Sequence, residues 1–386
     1  MHTRVPLRCM PQIDFHSAGF WIVMAFALVT IYQCCVYLFL YGKIAFYKET
    51  ATHTQEFPPV SVIICAKNEA DNLVEYLPRI LSQEYPEFEV IVVNDCSWDN
   101  TEDVLREYSK IFTNLKTILI KEDDYYKHGK KFALMVGIKG AKHENLLFTD
   151  GDCYPNSNTW IKEMMQGYTA GKEIIIGYGP YIKERSFLNR LIRFDAFTIG
   201  LHYLSFGLIN KPYMGVGRNL SYKKELFFKN KGFATHYHIN SGDDDLFVNQ
   251  AANANNTGVV ISQESFTYSV PAKTFADWGR QKARHLSTSG LYTSGSKNRL
   301  LMIHAANYLF WMLAVAAFCL PSWILVTASL FLLKNIIQLV TFYKSGQKLD
   351  EKDLIGGFLL FEFLLLFLYP VWHFKKVFVK TAKWKS

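Results

Sequence analysis

Four short stretches of this chain gather residues able to do chemistry. Asp150-Gly-Asp152 sets two carboxylates two residues apart. Carboxylate oxygens suit Mg2+ or Mn2+, which keep part of their water shell and take phosphate oxygens as further ligands. The plainer reading is an acidic surface turn. The glycine lets the backbone turn sharply and a ligand come close. Ser241-Gly-Asp-Asp-Asp-Leu246 packs three carboxylates together. Like charges raise one another's proton affinity, which suits a general base, although Asp is also favoured at the start of a helix. Lys127-His-Gly-Lys-Lys131 is a basic loop ahead of a helical stretch. It is placed either to meet a phosphate or to sit in water. In Trp278-Gly-Arg-Gln-Lys-Ala-Arg-His285, helical spacing puts Gln281, Arg284 and His285 on one face. A planar guanidinium there can grip a diphosphate at two points, or the run is a basic flank at a membrane surface.

Such residues act together only if a frame brings them together. Pro58-Pro59 closes a linker, and Val60-Ser-Val-Ile-Ile-Cys65 reads as a buried strand. Apolar residues then recur at Leu73, Tyr76, Leu77, Ile80 and Leu81, the period of a helix. Phe88–Val93 is a second strand, 101–110 a helix, 115–120 a third strand, 132–141 a helix, and 145–149 a fourth strand. Strands alternating with helices predict a parallel, doubly wound α/β sheet. In such sheets ligands bind beyond the carboxyl ends of the strands. Glu69, Asp95, Asp150 and Asp152 all fall at those ends.

The same residues carry a resemblance. Val60-Ser-Val-Ile-Ile-Cys-Ala-Lys-Asn-Glu69, Val90-Ile-Val-Val-Asn-Asp-Cys-Ser-Trp-Asp-Asn-Thr101, Gly129-Lys-Lys-Phe-Ala-Leu134, Asp150-Gly-Asp152, Gly242-Asp-Asp-Asp-Leu246 and Gln281-Lys-Ala-Arg-His285 occur in this order. Over about residues 58–290 the chain resembles the inverting family 2 glycosyltransferases of the GT-A fold. It is most similar to their membrane-embedded members, relatives of hyaluronan and cellulose synthases. The resemblance implies that Ala66, Glu69 and Asp95 hold the base and ribose of a nucleotide-sugar. It makes Lys130 the lysine of the glycine–lysine loop, faces Asp150 to ribose and metal, and makes Asp152 the ligand of Mg2+ or Mn2+. Asp244 matches the catalytic base with Asp243 beside it, and Gln281 and Arg284 match a Q-x-x-R-W element near acceptor and diphosphate. His285 stands in place of that element's Trp, which implies weak processivity.

The hydrophobicity is uneven. No charged residue lies between Asp14 and Lys43, and 19–41 is long enough to span about 30 Å of hydrocarbon as a helix. Residues 300–343 carry only Lys334 and suffice for two spans joined near Pro321. A third stretch, 354–374, contains Glu362 and Pro370, and either spans or re-enters. The expected organisation is a tail at 1–16, an anchor at 17–42, a GT-A domain at 58–299 with an interfacial helix at about 187–210, membrane helices at 300–374, and a basic tail at 375–386. Lys and Arg flanking the domain place it in the cytoplasm, on an integral membrane, expected to be a bacterial inner membrane.

Apolar residues make up 50% and charged residues 20%, which excludes a disordered chain. The net charge of +8 suits a phosphate ligand, a membrane surface or a nucleic acid and does not choose among them. The seven cysteines form no Cys-x-x-Cys pair, so no zinc site or disulfide framework is indicated. The expected partners are a nucleoside-diphosphate sugar, a lipid-linked or glycan acceptor and membrane lipids, without nucleic acid. The alternatives are a nucleotidyltransferase making nucleotide-sugars, or a degenerate membrane scaffold. Against the first, Cys65-Ala-Lys-Asn-Glu69 has no glycine for a phosphate loop. Against the second, every acid is present.

Overall fold

A computed structural model describes residues 17–48, 57–121, 129–169 and 171–378. The expected tail at 1–16, most of the basic tail, and Lys127 and His128 of the basic loop lie outside them. Along the chain, α1 (Ala18–Cys35) runs through a π-helical turn, Val36–Tyr41, into α2 (Gly42–Ala45). Then come β1 (Val60–Ala66), α3 (Ala70–Leu81), β2 (Phe88–Asp95), α4 (Thr101–Ile111), β3 (Leu115–Ile120), α5 (Lys130–Gly140) and β4 (Asn145–Asp150). The chain continues with β5 (Cys153–Pro155), α6 (Trp160–Gln166), β6 (Ile174–Ile176), α7 (Phe187–Leu208), β7 (Leu220–Lys223) and α8 (Lys224–Lys229). After α9 (Asp245–Ala251), β8 (Thr257–Val259), β9 (Thr267–Ser269) and α10 (Phe275–Leu286), three long helices follow: α11 (Ser294–Phe318), α12 (Ile324–Lys348) and α13 (Phe358–Phe378).

The chain divides into two compact units, 1–39 with 299–340, and 40–298 with 341–386. In the first, Val23 and Phe26 pack with Phe310, Ala314 and Ala317, and Gln33 Nε2 donates to the Ala306 carbonyl at 3.1 Å. Its outer surface is apolar too: Trp21, Leu28, Ile31, Met312, Val315 and Leu325 are exposed. An exterior like that suits lipid, not water. Four stretches of the chain, Ala18–Ala45, Ser294–Phe318, Pro321–Lys348 and Lys352–Lys375, are long and apolar enough to cross a membrane, and they fit membrane association.

The second unit is built on a seven-stranded sheet of order β3-β2-β1-β4-β7-β6-β8. All of β1 is buried, because helices cover both faces of the sheet there. On one face Leu73, Leu77 and Ile80 of α3 and Trp160, Ile161 and Met164 of α6 pack on Val62, Ile64, Val90 and Val92. The sheet is parallel from β3 to β4, but β7 pairs antiparallel with both β4 and β6. β6 pairs parallel with β8, so six of the seven strands run the same way and the parallel expectation fails only at β7. The strands after β4 have three or four residues each and carry no readable period. A mixed α/β sheet with apolar flanking helices is the GT-A arrangement.

Helix α7 differs from its sequence reading in where its charges go. Arg193 and Asp195 are buried. Arg193 bonds Glu351 and reaches Asp353 at 2.6 Å, and Asp195 accepts from Lys282 Nζ at 2.7 Å. Part of the charge of the helix expected at the interface is thus an internal ion-pair pattern.

Candidate active site

The candidate residues gather at the carboxyl ends of β1, β2 and β4. Ala66 and Asp95 close β1 and β2 and are fully buried. The loops beyond them turn through left-handed residues, Asn68 at φ 54° and Cys96 at φ 53°. They are tied to each other: Asn68 N donates to Ser97 Oγ at 2.9 Å, and Trp98 N donates to Asn68 Oδ1 at 3.0 Å. Glu69 sits ahead of α3, buried, and accepts from Asn72 Nδ2 at 2.6 Å. A Cβ on Gly151 would come within 3.1 Å of Glu69 Cγ. Glycine between Asp150 and Asp152 therefore lets the β4 turn lie against Glu69 without displacing its side chain.

Lys130 opens α5 and joins the two acidic stretches. Its Nζ lies 2.7 Å from Asp150 Oδ1 and 3.3 Å from Asp243 Oδ2. Burial alone would push the ammonium down, but Asp150, Asp243 and Asp244 outweigh it and hold the pKa well above the ordinary lysine value. Burial pushes Asp243 up, yet Lys130 and Arg284 bring it below the usual carboxylate value. Lys130 is thus a fixed cation and Asp243 a fixed anion.

Asp244 behaves differently. Its Oδ2 accepts from Gly217 N at 2.7 Å and its Oδ1 from Asp245 N at 2.8 Å. Burial first, and then the charges of Asp243 and Asp245, push its pKa up to about 7. The turn that aims it needs Gly242, at φ +94°, where a Cβ would also strike Leu246 Cδ1 at 2.4 Å. Next to it, Asp245 is buried and accepts from Thr288 and, at 2.7 Å, from Tyr292. Three consecutive aspartates therefore have three different employments: salt bridge, poised carboxyl and structural anchor.

Asp150, Asp152 and Cys153 can each offer a ligand atom, all within 4.8 Å of one another. Burial and then the neighbouring Asp150 charge raise the Asp152 pKa. Burial also raises the Cys153 thiol well above its usual value, so it stays protonated and is a poor ligand for a hard cation. The two carboxylates, which repel each other unless a cation stands between them, are a donor set that fits Mg2+ or Mn2+.

On α10, Arg284 Nη1 reaches Ser241 Oγ at 3.4 Å, and its Nη2 donates to His285 Nε2 at 3.1 Å. Arginine has no lone pair to offer, so this bond makes His285 the acceptor. Gln281 faces the Tyr181 hydroxyl instead. The three residues do not act as one patch.

Sequence reasoning passed over Arg218. It lies in the turn Gly217–Asn219, donates through Nε to the Gly179 carbonyl at 2.7 Å and lies 4.8 Å from the centre of the Tyr181 ring. Its charge acts on both Asp150 and Asp152. With Lys130 it gives the acidic pair two cationic neighbours. Asn219 fixes the turn by donating to the Tyr178 and Ser265 carbonyls at 2.8 Å. A single arginine among glycines carries no motif, and only the folded chain shows where it points.

Residues 61–235 match the family model described as Glycosyl transferase family 2. Glycosyltransferase AglE of Haloferax volcanii is 32% identical over 147 residues, 38% of this chain and 47% of the relative. Poly-beta-1,6-N-acetyl-D-glucosamine synthase of Staphylococcus epidermidis is 35% identical over 98 residues, 25% of this chain and 23% of the relative. The chain thus spans less than half the length of either. Among solved structures, the mannosyltransferase PcManGT from Pyrobaculum calidifontis, in complex with GDP-Man and Mn2+, aligns with a TM-score of 0.56 and 17% identity. That alignment covers 90% of this chain and 99% of the other. At this identity the likeness speaks for the fold alone. The family match agrees with the motifs from Val60 to Asp152, and residues 61–235 carry a glycosyl transferase family 2 domain.

Proposed function

We propose that the chain transfers a sugar, with inversion, from a nucleoside-diphosphate donor to a lipid-linked or membrane-proximal acceptor. The observation that carries this reading is the carboxyl of Asp244. It is held by two backbone N–H groups and poised near pH 7, beside a salt-bridged Asp243–Lys130–Asp150 cluster. A base in that state takes a proton from an acceptor hydroxyl as the hydroxyl attacks the anomeric carbon. Negative charge then builds on the departing diphosphate, and Lys130, Arg218 and Arg284 are cations available to it. Asp150 and Asp152 would hold a divalent metal, which neutralises diphosphate charge when bound. Ala66, Glu69 and Asp95 would take the nucleoside, and Gln281 the acceptor side.

A polymerising relative needs an aromatic platform for the growing chain. His285 offers a smaller, polar ring already engaged by Arg284, which supports one or a few additions per encounter. The domain is proposed to face the cytoplasm, where nucleotide-sugars are made. The test is a donor screen on full-length protein in detergent with Mn2+, reading nucleoside diphosphate released and starting with GDP-mannose. Release from one donor by the wild type but not by Asp244→Asn supports the proposal. Equal release by both refutes the base, and release from none refutes the transfer reading.

A further inference from the structure

A cavity of about 490 Å³ opens in the second unit, away from the carboxylate cluster. Ala45, Phe46, Ile261, Gln263, Lys344 and Lys348 line it. Its volume is within the ~300–1,000 Å³ usual for ligand sites. Ala45 and Ile261 are buried and form an apolar floor, while the Phe46 ring is 64% exposed beside it. Gln263 Nε2 donates to the Gln347 carbonyl at 3.0 Å, so the loop wall and the helix wall are already fastened together.

The position narrows the ligand. Ala18–Ala45 and Pro321–Lys348 are both long and apolar enough to cross a membrane, and both end at this cavity. The ends of spanning helices sit at the level of lipid headgroups. Lys344 and Lys348 are one helical turn apart and share a face. Lys43 and Lys48 flank Ala45 and Phe46 along the chain, whereas Glu264 is the single acid in the lining. A soluble phosphate would leave the apolar floor and the Phe46 ring unused. A zwitterionic headgroup would leave the excess of lysine uncompensated. An anionic phospholipid uses both.

We propose that this cavity is a binding site for the headgroup of an anionic phospholipid, with its phosphate against Lys344 and Lys348 and its carbon backbone over Ala45, Phe46 and Ile261. The site is separate from the transfer chemistry, so its test does not depend on activity. Full-length protein is placed in nanodiscs of phosphatidylcholine with a minor fraction of phosphatidylglycerol, and the lipid retained on release is read by native mass spectrometry. The wild type is expected to keep phosphatidylglycerol in preference to phosphatidylcholine. Lys344→Gln with Lys348→Gln should retain about tenfold to thirtyfold less, at about 1 kcal/mol for each lysine removed. Lys139→Gln with Lys229→Gln removes the same charge from exposed positions elsewhere and should retain it like the wild type. Excess inorganic phosphate should not displace it. Equal retention by the Lys344/Lys348 variant, equal loss in the control, equal retention of phosphatidylcholine or phosphatidylethanolamine, or release by inorganic phosphate would each overturn the proposal.

Discussion

At the scale of single residues, charge state separates the acids. Asp243 is locked as a carboxylate by Lys130, while Asp244, one residue on, is pushed up to about 7. A base must be deprotonated to act, so below pH 7 a growing fraction of Asp244 is neutral and idle. We expect kcat/KM to rise with pH through an acid limb near 7, measured with saturating metal. Asp244→Asn keeps the size but cannot take a proton, and turnover should fall about 10²–10⁴-fold with nucleotide affinity, read by calorimetry, nearly unchanged. A collapse of nucleotide binding in that variant would reassign the residue to the donor site. The acidic pair on β4 makes a separate prediction. Asp150 and a diphosphate repel unless a cation stands between them. Asp152→Ala should abolish donor turnover, and excess EDTA should do so reversibly in the wild type. Full activity in EDTA would show that Lys130 and Arg218 suffice alone.

At the scale of elements, α10 is held at its back by a buried polar node. Lys282 Nζ donates to Asp195 Oδ2 at 2.7 Å, and Tyr369 OH donates to Asp195 Oδ1 at 2.6 Å. Trp278 meets Trp372 edge to face at 4.6 Å. Removing one member of a buried pair leaves a bare charge and costs about 3–5 kcal/mol. Lys282→Met should therefore lower the midpoint of thermal unfolding steeply. Adding Asp195→Asn should restore part of it, because the amide oxygen still accepts from Tyr369 and no charge remains. If the second change deepened the loss, the node would not be the ion pair described. None of this was legible in the sequence, where Arg193, Asp195 and Lys282 read as solvated or interfacial charges. The strands β1, β2 and β4 were legible because each is a largely apolar run leading into polar residues, and β3 because it falls in the strand–helix alternation. The later strands were not, since three-residue segments such as Ile174–Ile176 are too short to show a period. The motif residues were singled out by type, spacing and the family resemblance, whereas Arg218 and the separate employments of Asp243, Asp244 and Asp245 needed the contacts themselves.

At the scale of the whole molecule, hydropathy located every apolar block yet could not say whether the last one crosses a membrane. By length and composition, Lys352–Lys375 qualifies as a span. Its neighbours argue otherwise. Near its start, the Phe361 ring lies 6.0 Å from Phe187 and 5.4 Å from Phe194 on α7. Near its end, Tyr369 and Trp372 pack on Asp195 and Trp278, and Lys375 Nζ approaches Gly279. If α13 crossed the bilayer, its second half would draw α10 into hydrocarbon with Arg280, Lys282 and Arg284. That would cost several kcal/mol, at about 2.5–3.5 for each uncompensated basic side chain. Its exposed residues give the alternative: Leu360, Phe363, Phe367, Val371 and Phe374 recur at helical spacing, while Phe358, Phe361, Leu365 and Trp372 are buried. A helix apolar on its outer side and fastened to a globular unit on its inner side suits the plane of the membrane surface. We therefore expect residue 386 to lie on the same side of the membrane as residues 58–299. The seven native cysteines are replaced, and single reporters Lys110→Cys and Ser386→Cys are introduced separately. Sealed vesicles of one orientation are then treated with an impermeant maleimide. Both reporters should label together or be protected together. Labelling of one with protection of the other would make α13 a fourth crossing.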